Sequence, residues 1–204
     1  MTVVDLSTRL GERFPQVRER SSGDCPAFDV PTESLVGLLQ FLHDAAGFDL
    51  LSDVSGIDWG VEQNPRFGVA YHLLSTATAQ YVRVVTLCDG GETPTVPTVS
   101  SIWPGADWHE REAFDMFGIR FDGHPDLRRI LMWDEYSHFP MRKDFPLAGV
   151  EADLPDLEVA QETQAKVQPA PMMGGPFVAP QAAHMSKREP RARDESWNEK
   201  KPKS

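Results

Sequence analysis

Two runs, Arg66 to Leu74 and Tyr81 to Leu87, most constrain what this chain can fold into. In the first, Phe67, Val69, Tyr71 and Leu73 fall at every second position; the second is rich in β-branched residues. Period two with such residues marks strands with one buried face, and the pair reads as antiparallel neighbours across Ser75 to Gln80. From Thr32 to Ala46 the spacing changes: Leu35, Leu38, Leu39, Leu42 and Ala46 recur at helical intervals, with Thr32 placed as N-cap and Gly47 just past the end. A further strand is expected around Asp49 to Trp59, where Leu50, Leu51, Val54 and Ile57 supply apolar area and Ser55-Gly56 interrupts the pattern. The sum is an α+β fold, a small domain with helices packed on one side of a mainly antiparallel sheet. A loop rich in Pro, Gly and Thr, Asp89 to Ser100, leads out of it.

The 204 residues suit one domain with appendages, expected as 1–147 followed by an extended, largely irregular tail, 148–204. Pro, Ala, Gln and Met dominate the tail as far as Met185, and Lys187 to Ser204 is charged and nearly devoid of apolar residues. Such a segment buries too little surface to offset its ordering entropy, so it reads as an arm with short apolar anchors at Met172-Met173 and Phe177-Val178. The net charge of -11, concentrated in 1–147, argues against nucleic acid as a partner. Cys25 and Cys88 are too few for an iron-sulfur cluster, which takes four thiolates. No run approaches the roughly 20 apolar residues of a membrane span, and Asp5 and Arg9 interrupt any signal-peptide core. A soluble chain in a reducing compartment is expected.

Between Trp103 and Leu147 aromatic, Pro, Gly, Arg, Glu and His residues crowd together without forming a familiar catalytic set. His109-Glu110-Arg111-Glu112-Ala113 begins like the zinc-protease motif HExxH, but Ala113 stands where the second His ligand is essential. A looser metal site from His109, Glu112 and His124 is outweighed by the ordinary reading of such side chains as hydrogen-bonded structural groups. There is no GxSxG elbow, no Cys with a recognisable His partner and no phosphate-cradling Gly loop. A helical wheel from Trp108 to Phe117 gathers Ala113, Phe114, Met116 and Phe117 on one arc and Trp108, Arg111, Glu112 and Asp115 on the other. Arg111 and Asp115 then form an exposed i,i+4 pair. Glu110 alone falls in the apolar arc. The favoured explanation is a capping box with Asp107 as N-cap; the alternative is a desolvated carboxylate paired with Arg128 or Arg129. Gly118, Gly123 and Pro125 bracket a short candidate strand, Ile119 to Phe121, and Arg128-Arg129 and Arg142-Lys143 lie beside Asp126, Asp134 and Asp144 as ready ion-pair partners. The repeated mixture of aromatic and Arg residues, through Trp133, Tyr136, Phe139, Arg142 and Phe145, points to a docking surface rather than an active site.

Glu110-Arg111-Glu112, Asp115-Met116-Phe117, His124 and Arg128-Arg129-Ile130-Leu131 together resemble the signature of the 30-kilodalton (C-type) subunit family of proton-pumping NADH:quinone oxidoreductase, respiratory complex I. The likeness continues upstream through Tyr71 to Ser75, Val96 to Val99 and Ile102 to Gly105, and downstream through Arg142 to Leu147. It spans Leu35 to Leu147 and departs at Ser137-His138-Phe139-Pro140, where many members have the His directly before the Pro. The resemblance implies a complex that passes electrons from NADH through FMN and iron-sulfur clusters to a quinone, coupled to proton translocation. This chain is then expected to be a non-catalytic structural subunit of its hydrophilic arm, peripheral on the cytoplasmic side of a bacterial inner membrane. It would bind no cofactor and no metal, and brace subunits D and B of the quinone-reducing module, its membrane association being indirect. The structural or interface residues expected are Trp103, Trp108, Glu110, Arg111, Glu112, Asp115, His124, Arg128, Arg129, Arg142 and Lys143. Other readings are an equivalent subunit of a related membrane-bound hydrogenase, a free-standing metal-dependent hydrolase using His109, Glu112 and His124, and a lone adaptor.

Overall fold

In the computed structural model, which describes residues 3–146 and 149–167, the chain runs α1 (Val3–Arg13), β1 (Arg18–Arg20), β2 (Ala27–Asp29), α2 (Thr32–Asp44), β3 (Leu50–Asp58), β4 (Phe67–Ser75), β5 (Gln80–Leu87), β6 (Thr95–Pro97), α3 (Ala106–Phe117) and β7 (Arg120–Asp122). These elements fall within one unit, Met1–Asp144, and Phe145–Ser204 forms a second. The two alternating runs pair as an antiparallel hairpin, β4 with β5, closing where Ser75 faces Gln80. On its outer side β4 takes β3, also antiparallel; β5 takes β2 in parallel, and β1 completes the order β1-β2-β5-β4-β3. The sheet is mainly antiparallel, and the α+β expectation holds.

One face of the sheet carries the core. Val54, Tyr71 and Val84 are direct cross-strand partners, so their side chains share a face, and all three are buried. Leu35, Leu38, Leu39 and Leu42 of α2 are each fully buried in the same cluster. Burial of this extent stabilises by about 1.5 to 3 kcal/mol per side chain. α3 lies against β3, where Gly56 is a fitted position: a Cβ there would stand 2.6 Å from the Phe117 ring. That contact accounts for a Gly inside the strand expected around Asp49 to Trp59; the irregularity in register falls between Leu51 and Asp53.

Other local expectations shift. Thr32 is the first residue of α2 and not its cap; Pro31 precedes the helix with no side-chain bond, and the Thr32 hydroxyl donates to the Leu87 carbonyl at 2.8 Å, tying helix to sheet. Gly47 past the helix end has φ +78°, a left-handed conformation suited to Gly. The loop Asp89 to Ser100 contains β6, which pairs in parallel with β7, the strand expected one residue earlier at Ile119 to Phe121.

In the second unit, β8 (Ala152–Asp153) and β9 (Lys166–Val167) pair antiparallel around α4 (Leu157–Thr163), whose N-cap Asp156 accepts from the Glu158 and Val159 amides. None of the residues described here, 149–167, is buried. Met172-Met173, Phe177-Val178 and the charged end from Lys187 lie outside the described residues. Among the described residues no helix is long and apolar enough to cross a membrane.

Candidate functional site

The helix α3 is covered on two sides, by the sheet and by the irregular segment that follows β7. Asp115 fastens that segment. Its carboxylate is fully buried; Oδ2 accepts from the consecutive amides of Ile130 (2.9 Å), Leu131 (2.6 Å) and Met132 (2.9 Å), and Oδ1 from Arg129 Nη1 (2.6 Å). Arg129 also donates to the carbonyls of Asp115 and His138, both at 3.1 Å. Burial pushes the carboxyl up, but the Met132, Leu131 and Ile130 amides and Arg129 outweigh it, so its pKa lies below the usual carboxylate range. The expected surface pair of Arg111 with Asp115 is therefore absent. Both residues are buried, and Arg111 lies over the Trp108 ring at 4.8 Å and donates to the Arg128 carbonyl at 3.4 Å. The wheel assigns Arg111 and Asp115 to solvent, and residues 128–132 cover those two while Trp108 and Glu112 stay exposed.

Glu110 differs from both of its expected roles. Gly105 precedes α3 as N-cap without a side-chain bond, Asp107 lies inside the first turn, and among the described residues no Arg bonds to the Glu110 carboxylate. It is fully buried, with Oε1 accepting from the Val99 amide at 2.7 Å and Oε2 from the Thr98 hydroxyl. Burial raises its pKa to about 7, against the lowering effect of Thr98 and Val99 and with the Asp107 charge raising it further. His124, its side chain fully covered, stands beside it. His124 Nδ1 accepts from the Asp126 amide at 3.0 Å, a bond that assigns the proton to Nε2, which faces Asp107 Oδ1 at 3.0 Å and Glu110 Oε2 at 3.8 Å. Glu110 and His124 thus tie α3, the 98–99 loop and the turn after β7 together.

The end of the segment returns to the sheet. Arg142 is held between the rings of Phe67 (4.8 Å) and Phe139 (4.6 Å) and donates to the Phe117 carbonyl at 2.7 Å, satisfying an acceptor at the end of α3. Gly118 ends that helix at φ +74°; a Cβ there would meet Arg142 Nη2 at 2.6 Å and the Phe139 ring at 2.7 Å. Lys143 contributes its backbone, the amide donating to Asp58 Oδ2 at 2.7 Å, while its side chain is exposed. Asp58 also binds Arg66 Nη2 (2.6 Å), and Arg66 in turn binds Asp144 (2.6 Å). Burial of Asp58 is outweighed by Arg66 and the Lys143 and Gly60 amides, which lower its pKa to about 2.

Sequence reasoning missed Asp58 and Arg66. The available signal was Asp144, expected to pair with its neighbours Arg142 and Lys143; it pairs instead with Arg66, across 78 positions. Arg128 does pair with Asp126, at 2.8 Å and on the surface. Trp103 is buried, edge-on to His43 at 5.4 Å, whereas Trp108 is 62% exposed, Leu131 60% and Met141 57%. Glu112 is exposed. His109 faces Asp53 at 3.7 Å and His124 faces Asp107, so the looser site of His109, Glu112 and His124 is not assembled. Tyr136 and Phe139 stack with Arg129 inside the chain.

Fold and site together define a class: an α+β domain whose buried acids and their arginine partners clamp a long irregular segment onto one helix. The chain belongs to the family described as the respiratory-chain NADH dehydrogenase 30 Kd subunit, which matches residues 28–151. This is the family indicated by the signature, and the match begins ahead of Leu35. It is 53% identical over 130 residues to the C-2 subunit of the NADH-quinone oxidoreductase of Rhizobium meliloti (strain 1021), covering 63% of this chain and 70% of the relative. The corresponding C-type subunit of Phenylobacterium zucineum (strain HLK1) is 41% identical over 150 residues, 74% of this chain and 70% of the relative. Among solved structures, a chain of the membrane-bound sulfane sulfur reductase, an archaeal respiratory membrane complex, shares the fold with a TM-score of 0.62 at 22% identity, covering 79% of this chain and 91% of that one.

Proposed function

We propose that this complex I family member is a non-catalytic brace in the hydrophilic arm of an NADH:quinone oxidoreductase. In this reading the complex carries electrons from NADH through FMN and iron-sulfur clusters to a quinone and couples this to proton translocation. The chain is peripheral, on the cytoplasmic side of a bacterial inner membrane, and grips subunits D and B around the quinone site without a cofactor of its own. One observation supports it above others: the polar groups of the signature, buried Asp115 and Glu110 and partly buried Arg129 and Arg142, bond within the chain. Their chemistry is committed to holding a backbone path. Trp108 is left exposed, a residue type that carries binding energy at interfaces, and Leu131 and Met141 add exposed apolar surface. Rigid geometry is what electron transfer and quinone placement require of such a subunit.

The test is gentle solubilisation of the tagged chain. Subunits D and B and a flavin-containing, NADH-oxidising module should copurify, with flavin and iron-sulfur absorbance in the assembly and neither in the separated chain. Turnover of NADH or quinone by the separated chain would refute the passive role, and recovery without an NADH-oxidising module would favour a hydrogenase-type assembly.

A further inference from the structure

Two acids of α3 are fully buried, and they differ in company. Asp115 holds Arg129, whereas among the described residues no Lys or Arg bonds to Glu110. The titratable groups around Glu110 come from three elements. Its own helix supplies Asp107, a second carboxylate; the turn after β7 supplies His124; β4 supplies the fully buried phenol of Tyr71, close enough for a charge on Glu110 to hinder its ionisation. His124 is engaged elsewhere. Its Nε2 faces the Asp107 carbonyl at 3.3 Å and Asp107 Oδ1 at 3.0 Å, and stands 3.8 Å from Glu110 Oε2, beyond hydrogen-bond reach. A carboxylate at that place is desolvated, opposed by a like charge and unpaired with a cation, and a buried group so placed takes up a proton instead.

The bonds of Glu110 accommodate that proton. Oε1 accepts from the Val99 amide whether the group is charged or neutral. Thr98 Oγ1 accepts from the Ser100 amide at 3.2 Å and lies 2.8 Å from Ser100 Oγ, so its hydroxyl can turn toward Ser100 and accept in its turn from a protonated Oε2. Both bonds join residues 98–100 to α3.

We propose that Glu110 is a proton-operated latch: carrying a proton it holds residues 98–100 on α3, and loss of the proton to water accompanies local opening of that loop. Closed, the group has a pKa of about 7 against its usual 4.5, so the closed loop binds the proton more tightly than the open one. Opening therefore becomes easier as pH rises from 4.5 to 7 and gains nothing further above it. The loop runs on through Trp103 to Gly105 into the first turn of α3, where the Trp108 ring is 62% exposed, so the latch sets how firmly that ring is presented. It is a property of this chain alone, and its failure would leave the bracing role standing.

The test is amide hydrogen exchange of the full chain, read at Val99 and, for reference, at Val84 in the β4–β5 hairpin. After correction for intrinsic exchange, Val99 protection should fall about tenfold per pH unit from pH 5 to 7 and level off above that. Low urea should leave Val99 unmoved while speeding Val84, because a local opening exposes little new surface. Glu110→Gln, which offers Thr98 an N–H and Val99 an acceptor, should keep Val99 protection constant across the same range. Val99 protection that ignores pH in the original chain overturns the proposal. So does a urea response equal to that of Val84, which would make Glu110 a contributor to global stability only. A pH profile that persists in Glu110→Gln assigns the proton to another group and overturns it too. Where that variant fails to fold, the pH and urea responses of the original chain decide alone.

Discussion

Asp115 and Arg129 meet at 2.6 Å across 14 residues, and the same carboxylate takes the next three amides of the chain. One side chain of α3 therefore fixes both a guanidinium and the backbone path of residues 130–132. Removing its charge leaves Arg129, whose side chain is only 10% exposed, without an anion. Asp115→Asn should cost about 3 to 5 kcal/mol in urea unfolding. Arg128→Ala, which breaks a surface pair, should leave the midpoint unmoved. Equal losses in the two variants would contradict this account of the clamp.

Glu110 sets a pH dependence of one sign. Its folded pKa is raised to about 7 from its usual 4.5, so the folded state holds the proton more tightly than the unfolded state does. The associated stability is complete below pH 4.5 and is lost as pH rises through 7, a fall of about 3 kcal/mol from this group. Glu110→Gln keeps an acceptor for the Val99 amide and cannot ionise. Unfolding of both proteins from pH 5 to 8 should show the decline in the original chain and a flatter profile in the variant; parallel profiles would rule Glu110 out as its source.

Asp58 acts in the opposite direction. Its pKa falls from 3.8 to about 2, so its contribution is present above 3.8 and disappears as pH falls toward 2, about 2 kcal/mol in all. Asp58→Asn should raise the midpoint pH of acid unfolding and expose the peptide bonds around Lys143 to protease. An unchanged midpoint would mean that Arg66 and the Lys143 amide are held by something else.

Two glycines should be intolerant for different reasons. Gly56→Ala forces a methyl against Phe117, an overpacking cost of about 1 to 3 kcal/mol. Gly118→Ala adds a positive φ to a clash with Arg142 and Phe139 and should cost at least as much. At Gly105, where nothing lies within 4 Å, Ala should be accepted. Thermal unfolding of the three variants reads the order directly, and a stable Gly118→Ala chain would show that the helix end is free to rearrange.

What is legible in the chain follows the range of the forces involved. Phe67 to Leu73 and Leu35 to Leu42 write their burial into local spacing, and β4, β5 and α2 appear where that spacing places them. β1 and β2 are three residues each, too short to show a period, and β2 joins β5 through pairings such as Ala27 with Arg83. The wheel for α3 fails at Arg111 and Asp115 because the cover over them arrives from later in the chain. Glu110 stands out in the sequence as misplaced on an apolar arc, but its partners, Thr98 and Val99, sit in a loop whose path no periodicity encodes.

The bond from Lys143 to Asp58 is made by the peptide nitrogen. Every residue except proline supplies that group, so evolution can exchange the side chain at 143 without unfastening the strand beneath it. Attachment and outward chemistry are separated at a single position, which leaves the exterior free to be retuned to a changing neighbour while the interior stays as it was.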